Sequence, residues 1–310
     1  MIRTVLGDIP GDALGHAQCH EHLFIEKGVS FSVNPALCMD DSAQSNAELL
    51  AYKKSGGGAI LDAQPVYCGR MAGALADASS RSGVHIVAVT GFHKTMFYGP
   101  DSPIYLQTEQ QLSDTFISEV REGMLDVAGK RIGAKAGVIK AALDERGMSP
   151  VYEKLIGAVI TAAIETAAPV LIHTDPNTDV LGFIRMFMDA GVYADRIIVC
   201  HLCRSKYDFS YHKEVLSTGA FLCYDSVNRL KYISHEQLIA LISEMLSCGY
   251  EDQLLLSLDT TRERLKAYGG SMGLDYILNT FIPMLREYGV PQQAIAAMTV
   301  KNAAQALSFQ

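Results

Sequence analysis

The sequence has fewer basic than acidic residues and contains no long apolar run. Its 310 residues include 26 Lys and Arg against 34 Asp and Glu, a formal net charge of -8. A surface of this charge repels a phosphate backbone, so we expect no nucleic-acid partner. No apolar stretch approaches the roughly 20 residues that span a bilayer, and no basic-then-apolar leader opens the chain. We therefore expect a cytoplasmic protein that does not associate with membranes.

Two common signals of binding sites are also missing. The seven cysteines are odd in number and scattered, which favours reduced thiols over a disulfide framework. Cys200 and Cys203 form a C-x-x-C motif, but a structural zinc site of this kind needs a second pair, which the sequence lacks. No G-x-G-x-x-G motif follows the first predicted strand, so dinucleotide binding has no support.

Short β-branched apolar segments recur along the chain, as expected of parallel strands that are covered on both faces. Helical stretches lie between them, such as 151–167 after Ser149 and Pro150, and 292–307 at the end. This alternation, without a linker or a short repeat, predicts one (β/α)8 TIM barrel that spans residues 1–310 as a single domain. A doubly wound open sheet is the alternative. The predicted strands are a segment ending at His20 and the segments 59–63, 85–90, 134–140, 170–173, 196–201, 220–224 and 254–258.

Six residues with metal-ligating side chains fall at or just beyond the C-terminal ends of five predicted strands, where TIM barrels place their active sites. Two of them, His20 and His22, are two residues apart on a strand and so project to the same face. A single buried histidine is more often a hydrogen-bonded core residue than a ligand. The coincidence of six such positions nevertheless indicates a metal site, formed by His20, His22, Lys140, His173, His201 and Asp259.

Lys140 is the most informative of the six because it ends an apolar strand, in the sequence AGVIKAA at 136–142. Burial in such surroundings favours the neutral amine over the ammonium ion. A neutral amine can take up carbon dioxide, and the resulting carbamate is an anionic ligand with two oxygens that can bridge two metal ions. The alternative is a lysine whose ammonium group reaches solvent at the barrel mouth.

The order H-x-H, Lys, His, His, Asp resembles the phosphotriesterase family of the amidohydrolase superfamily. The resemblance extends nearly end to end, through TVLG at 4–7, CHEHL at 19–23, AGVIK at 136–140, IHT at 172–174, LD at 258–259 and TVKNAA at 299–304. It implies that His20, His22 and Asp259 hold one divalent ion and that His173 and His201 hold a second. A carboxylated Lys140 and a hydroxide would bridge the two ions. Zinc suits such ligands, and manganese or cobalt are possible replacements.

The resemblance also implies a metal-dependent hydrolase of ester bonds. The bridging hydroxide would attack a carbonyl or phosphoryl group, and Asp259 would be the catalytic residue that passes the proton to the leaving oxygen. Cys19 stands where the family often has Thr or Ser, a change that affects the hydrogen bonds around the ligands rather than ligation itself. The resemblance further implies a homodimer.

Two basic loops follow the seventh and eighth predicted strands and indicate capture of a small anionic substrate. This pattern resembles the sub-group that hydrolyses phosphorylated furanose lactones. We therefore expect a lactonase for a phosphorylated sugar, with phosphotriester or carboxylic ester hydrolysis, or a non-catalytic barrel, as alternatives. Lys231 and Arg262 are the predicted phosphate-binding residues, with Arg229, Arg264, Lys94 and His93 as weaker candidates.

Overall fold

The computed structural model describes residues 1–205 and 207–309. The chain begins with an antiparallel hairpin of β1 (Ile2–Thr4) and β2 (Gly7–Ile9). Eight further strands form one sheet in which neighbours are parallel and follow one another in chain order. These strands are β3 (His16–Glu21), β4 (Gly57–Asp62), β5 (His85–Gly91), β6 (Val138–Leu143), β7 (Val170–Thr174), β8 (Ile197–Cys200), β9 (Phe221–Tyr224) and β10 (Leu254–Leu256).

The last strand of the sheet meets the first. The backbone N–H of Asp259, just after β10, donates to the carbonyl oxygen of His20 in β3 at 3.0 Å. The N–H of His20 in turn donates to Ser257 Oγ at 2.8 Å. The sheet therefore closes into a TIM barrel, which confirms the predicted fold and shows that the open-sheet alternative is wrong.

Helices connect the strands and cover the outside of the barrel. The longest, Pro150–Thr166, begins as predicted at Ser149, whose hydroxyl accepts from the Tyr152 N–H. The predicted C-terminal helix is interrupted by a π-helical turn at Ala297–Lys301, and a second such turn covers Ile277–Phe281. The α-helices are α1 (Val29–Val33), α2 (Ser42–Lys54), α3 (Ala72–Ser82), α4 (Pro103–Leu106), α5 (Glu109–Arg121), α6 (Pro150–Thr166), α7 (Val180–Asp189), α8 (Leu202–Ser205), α9 (Phe209–Ser217), α10 (His235–Ser247), α11 (Ile282–Glu287), α12 (Gln292–Ala296) and α13 (Asn302–Ala306).

Two apolar layers pack on either side of the sheet. The inner layer fills the barrel with small and branched residues, among them Cys19, Val89 and Cys200. The outer layer lies between the strands and the helices and includes Cys203. The two cysteines of the C-x-x-C motif thus face different layers and do not form a common site. Among the described helices, none combines the length and the apolar character needed to cross a membrane.

Candidate metal centre

Five of the six predicted ligands meet at the C-terminal end of the barrel. His20 and His173 lie in β3 and β7, His22 and His201 follow β3 and β8, and Asp259 follows β10. The ring centroid of His201 lies 4.6 Å from that of His20 and 4.3 Å from that of His173. Asp259 Oδ1 lies 3.7 Å from His20 Nε2 and 3.4 Å from His22 Nε2. The structure therefore brings together side chains that are up to 239 residues apart in the sequence.

Two of these residues have left-handed backbone conformations. The φ angles are 72° at His201 and 50° at Asp259, in a region that residues other than glycine rarely adopt. Each such residue costs on the order of 1–3 kcal/mol and persists where surrounding contacts hold it, often at active sites. At His201 the contact is a 2.8 Å hydrogen bond from its N–H to Asp225 Oδ2. Two of the six described non-glycine residues with positive φ are thus predicted metal ligands.

Lys140 lies deeper in the barrel than predicted. The prediction placed it at the end of strand 134–140, whereas it is the third residue of β6. Just before the strand, the N–H of Ala136 donates to Glu119 O in α5, and regular pairing with β5 begins only at Val138. Lys140 is fully buried and its Nζ donates to Ala63 O at 2.7 Å, so the alternative of a solvent-exposed ammonium group is wrong. Burial lowers the pKa of Lys140, which favours the neutral amine.

Two aspartates, both missed in the sequence analysis, orient imidazole rings at the site. Asp175 Oδ1 lies 3.1 Å from His173 Nε2, and Asp225 Oδ2 lies 2.9 Å from His201 Nδ1. The contact with Asp175 leaves Nδ1 of His173 available to a ligand. His201 Nδ1 is close to Asp225 but not aligned for a hydrogen bond, so Asp225 holds His201 through its backbone N–H. Carboxylates in this position fix the tautomer and the orientation of metal-binding histidines.

The donor set fits divalent metal ions. Burial, the largest effect in each case, lowers the pKa of His173 to about 4 and holds the pKa values of His20 and His201 well below their usual range, so these rings are neutral. Neutral imidazole is the form that binds metal. His20, His22 and Asp259 form one group of converging ligand atoms, and His20, His201 and Asp225 form another. The buried Nδ1 atoms of all four histidines have no hydrogen-bond partner among the described residues.

Glu21, between the two histidines of the H-x-H motif, anchors the segment that carries Asp259. Its fully buried carboxylate accepts from the N–H groups of Leu258 and Thr260 at 2.7 and 2.9 Å. The hydroxyl groups of Ser257 and Thr260 also lie 2.7 Å from it. Strand alternation was the available signal, because it turns Glu21 away from the barrel mouth when His20 and His22 face it.

Three arginines surround Asp259. Arg204, which the sequence analysis missed, contacts Asp259 Oδ2 and donates to Asp225 Oδ1 at 3.1 Å. Arg229 Nη2 lies 3.1 Å from Asp259 Oδ2. Arg264 donates to the backbone oxygen of Val227 at 2.8 Å and contacts that of Leu258. Arg229 and Arg264, weaker candidates for phosphate binding, are thus engaged in holding the Asp259 segment.

The predicted phosphate-binding residues lie farther out. The Lys231 side chain is exposed, with its Nζ 4.7 Å from the centre of the Tyr232 ring. Arg262 is half-buried and lies over the ring of Tyr268 at 5.7 Å. Within the described part of the chain, neither side chain contacts a candidate metal ligand. The other weak candidates lie beside His173: Lys94 pairs with Asp175 at 2.8 Å, and the His93 ring is 4.8 Å from that of His173.

Comparison with known proteins identifies the family. Residues 1–307 match the model of the phosphotriesterase family. The chain belongs to this family. Its members use a binuclear metal centre, and the expectation of a hydrolase that acts on ester bonds is confirmed.

Three relatives cover nearly the whole chain. A phospho-furanose lactonase of Mycoplasmopsis synoviae is 29% identical over 99% of this chain and 91% of its own length. The structure of a lactonase from Listeria monocytogenes has a TM-score of 0.92 and 30% identity, and the match covers 100% of this chain and 99% of that one. The phosphotriesterase homology protein of Escherichia coli, solved with phosphate in its active site, has a TM-score of 0.87 and 28% identity over 96% of this chain and 100% of its own.

Proposed function

We propose that this protein is a binuclear metal-dependent lactonase that opens a phosphorylated furanose lactone. The observation that carries the proposal is the convergence of four histidines and Asp259 at one barrel mouth, with a fully buried lysine deeper in the same barrel. The name of the relative from Mycoplasmopsis synoviae supports the choice of substrate.

The residues divide into two sets of ligands. His20, His22 and Asp259 would hold one ion, and His173 and His201 would hold the other, His173 through the Nδ1 atom that Asp175 leaves free. Lys140 would be N6-carboxylated and would bridge the ions, because its buried amine is the neutral form that reacts with carbon dioxide. The ligand set suits zinc, or manganese or cobalt in its place. When bound, two such ions lower the pKa of water and polarise a substrate carbonyl.

Asp259 has the position required of a proton carrier. Its Oδ1 faces His20 and His22, and its Oδ2 is held by Arg204 and Arg229. In lactone opening it would accept a proton from the attacking water as the new C–O bond forms. It would return that proton to the ring oxygen when the ester C–O bond breaks, so that the product is a hydroxy acid.

Lys231 and Arg262 are the basic candidates with the fewest internal contacts, so we propose them for binding of the substrate phosphate. Within the described residues neither forms an ion pair, whereas Arg229, Arg264 and Lys94 are committed to internal contacts. The phosphate in the active site of the Escherichia coli relative supports an anion at this end of the barrel. We propose that these two side chains bind the phosphate group, with Arg262 leaving the Tyr268 ring to do so.

A substrate panel tests the proposal. Metal-loaded protein is assayed with aldonolactones that carry or lack a phosphate, with a neutral phosphotriester and with a simple carboxylic ester. Hydrolysis of a phosphorylated lactone in strong preference to its unphosphorylated analogue is expected, and equal rates on the two would overturn the substrate. Preference for the phosphotriester or the carboxylic ester would favour the alternative activities instead. No turnover of any substrate by fully metal-loaded protein would favour the non-catalytic barrel.

Two variants locate the phosphate site. Each of Lys231→Met and Arg262→Met is expected to lower kcat/KM for the phosphorylated lactone about 10- to 100-fold, as for loss of a charge-assisted hydrogen bond. Neither should change the slow rate on the unphosphorylated analogue. Lys301→Met is the matched control, because Lys301 pairs with Asp252 near the opposite end of the barrel. The homodimer, the cytoplasmic location and the single domain stay predictions.

A further inference from the structure

Arg204 joins two carboxylates from different strands. It lies on α8, three residues after His201, and its side chain is 13% exposed. Its Nε donates to Ser226 Oγ at 2.7 Å, and its Nη2 donates to Asp225 Oδ1 at 3.1 Å. The same Nη2 donates to Asp259 Oδ2. One planar group thereby links the segment after β9 to the segment after β10.

The link continues to a second candidate metal ligand. Asp225 is fully buried, and its Oδ2 lies 2.8 Å from the backbone N and 2.9 Å from Nδ1 of His201. The path His201–Asp225–Arg204–Asp259 therefore connects a ligand assigned to one ion with a ligand assigned to the other. Buried carboxylates require a paired cation, and Arg204 supplies the same cation to both.

We propose that Arg204 is a positioning residue that couples the two halves of the metal centre. By binding Oδ2 of Asp259 it keeps Oδ1 directed at His20 and His22. By binding Asp225 it keeps that carboxylate against the backbone N–H and beside the ring of His201, which fixes the position of this ligand. The inference rests on the binuclear centre of the proposed function, but it does not depend on the substrate.

The neighbouring arginines do not offer the same connection. Arg229 contacts Asp259 at Oδ2 and at its backbone oxygen, and Arg264 contacts backbone oxygens and Met272 Sδ. Among the described residues, Arg204 is the guanidinium group that contacts both Asp225 and Asp259. A lysine at this position would keep the charge, but its single ammonium cannot reproduce the planar fork that serves two carboxylates and Ser226.

Metal affinity is the decisive measurement. Arg204→Met and Arg204→Lys are titrated with zinc against a competing chelator, and the cobalt-substituted proteins are compared by their visible spectra. Loss of a group that orients metal ligands lowers affinity about 10- to 100-fold. We expect a loss of this size for both ions in Arg204→Met, a smaller loss in Arg204→Lys, and altered cobalt spectra in both variants.

Arg196→Met is the matched control for the loss of a largely buried arginine. Arg196 is 9% exposed and donates to the Ser308 backbone oxygen at 2.7 Å, at the opposite end of the barrel. This variant is expected to unfold at a lower temperature than the wild type and to keep its zinc affinity and cobalt spectrum. If Arg204→Met does not fold, Arg204→Lys and Asp225→Asn provide the same comparison, because each breaks the path at a defined contact.

Several outcomes would overturn the inference. Wild-type affinity for both ions in Arg204→Met with an unchanged cobalt spectrum would show that Arg204 does not position the ligands, even if kcat fell. Weakened binding of one ion alone would contradict the coupling. A wild-type protein that binds two ions but opens no lactone would overturn the proposed substrate and leave this inference standing. A wild-type protein that binds no ion would overturn both.

Discussion

The two ends of the barrel bury polar side chains in different ways. At the N-terminal end, His16 and Tyr52 form one buried pair, with His16 Nδ1 2.8 Å from the Tyr52 hydroxyl. That hydroxyl also lies 2.9 and 3.0 Å from the backbone oxygens of His16 and Ala59. At the mouth, four histidines and Asp259 converge, and several of their nitrogens have no partner among the described residues. Among the described residues, the N-terminal pair leaves one ring nitrogen, His16 Nε2, without a partner, whereas each of the four histidines at the mouth leaves its Nδ1 atom without one.

Cavity size does not indicate which end of the barrel carries the candidate metal ligands. A cavity of about 750 Å³ opens at the N-terminal end, lined by the segment 191–196 and by residues such as Ala163 and Gly219. None of the candidate metal ligands lines it. A smaller cavity of about 390 Å³ lies at the mouth and is lined by Lys94 and Asp175, next to His173. Converging donor atoms that the protein leaves unpaired identify the functional end better than empty volume does.

Replacement of Lys140 is the strongest test of the difference between the two ends of the barrel. Lys140→Met keeps the length of the side chain but removes the nitrogen that would carry the bridging carboxylate. We expect kcat/KM to fall by about 1,000-fold or more, which corresponds to about 4 kcal/mol of transition-state stabilisation. Elemental analysis should show fewer than two ions per chain in the variant.

A direct test of the modification accompanies the Lys140 variant. Wild-type protein incubated with isotopically labelled carbon dioxide and metal should give a carbamate signal by NMR that is absent from Lys140→Met. Full activity in the variant, or two firmly bound ions, would show that Lys140 is not a ligand of the metal centre. Circular dichroism of both proteins checks that the variant is folded.

Glu21→Gln tests whether the contacts of Glu21 with the segment that carries Asp259 are needed for stability and activity. The amide of glutamine presents a donor to a site where Glu21 accepts from two N–H groups and lies beside two hydroxyl groups. At least one donor then loses its acceptor, and we expect a loss of about 3 kcal/mol in the free energy of unfolding. Because these contacts hold Asp259 in its left-handed conformation, activity should also fall about 10-fold.

Glu48→Gln is the control for Glu21→Gln. Glu48 is also buried, and it accepts from the N–H groups of Ala267 and Leu274 at 2.6 and 3.2 Å, in a segment that follows Asp259 by several residues. Both variants are compared by urea denaturation and by kcat/KM. We expect the Glu48 variant to be destabilised but active. The Glu21 variant is expected to lose both stability and activity. Equal activity in the two would show that Glu21 serves stability alone.

Features carried by one continuous segment could be predicted from the sequence. Parallel strands covered on both faces appear as unbroken apolar runs, so all eight barrel strands overlap their predicted segments. The same reasoning located the histidines at the mouth, because barrel topology brings the C-terminal strand ends together. The position of Lys140 in its strand was less accurate, since Ala136 bonds to Glu119 of α5 and regular pairing of β6 with β5 begins only at Val138.

Features that depend on two distant segments could not be predicted. The roles of Arg204 and Asp225 follow from the packing of the loops after β8, β9 and β10, and no local pattern encodes that packing. The left-handed backbone of His201 and Asp259 is equally hidden, because neither is a glycine. The orientation of the exposed Lys231 side chain in the complex depends on the substrate as well as on the fold.

Tyr52→Phe has the smallest expected effect and tests the other side of the comparison. It removes the hydroxyl that contacts His16 and two backbone oxygens. The ring stays packed on Gly57, so closely that a Cβ atom at position 57 would lie 2.4 Å from the ring. We expect a loss of about 1–3 kcal/mol in the free energy of unfolding by urea denaturation, because buried groups lose their partner. Zinc affinity and kcat/KM should equal those of the wild type, since the pair lies at the end of the barrel away from the metal ligands. A change in zinc affinity would show that the two ends are coupled through the barrel interior, and the contrast between them would then fail.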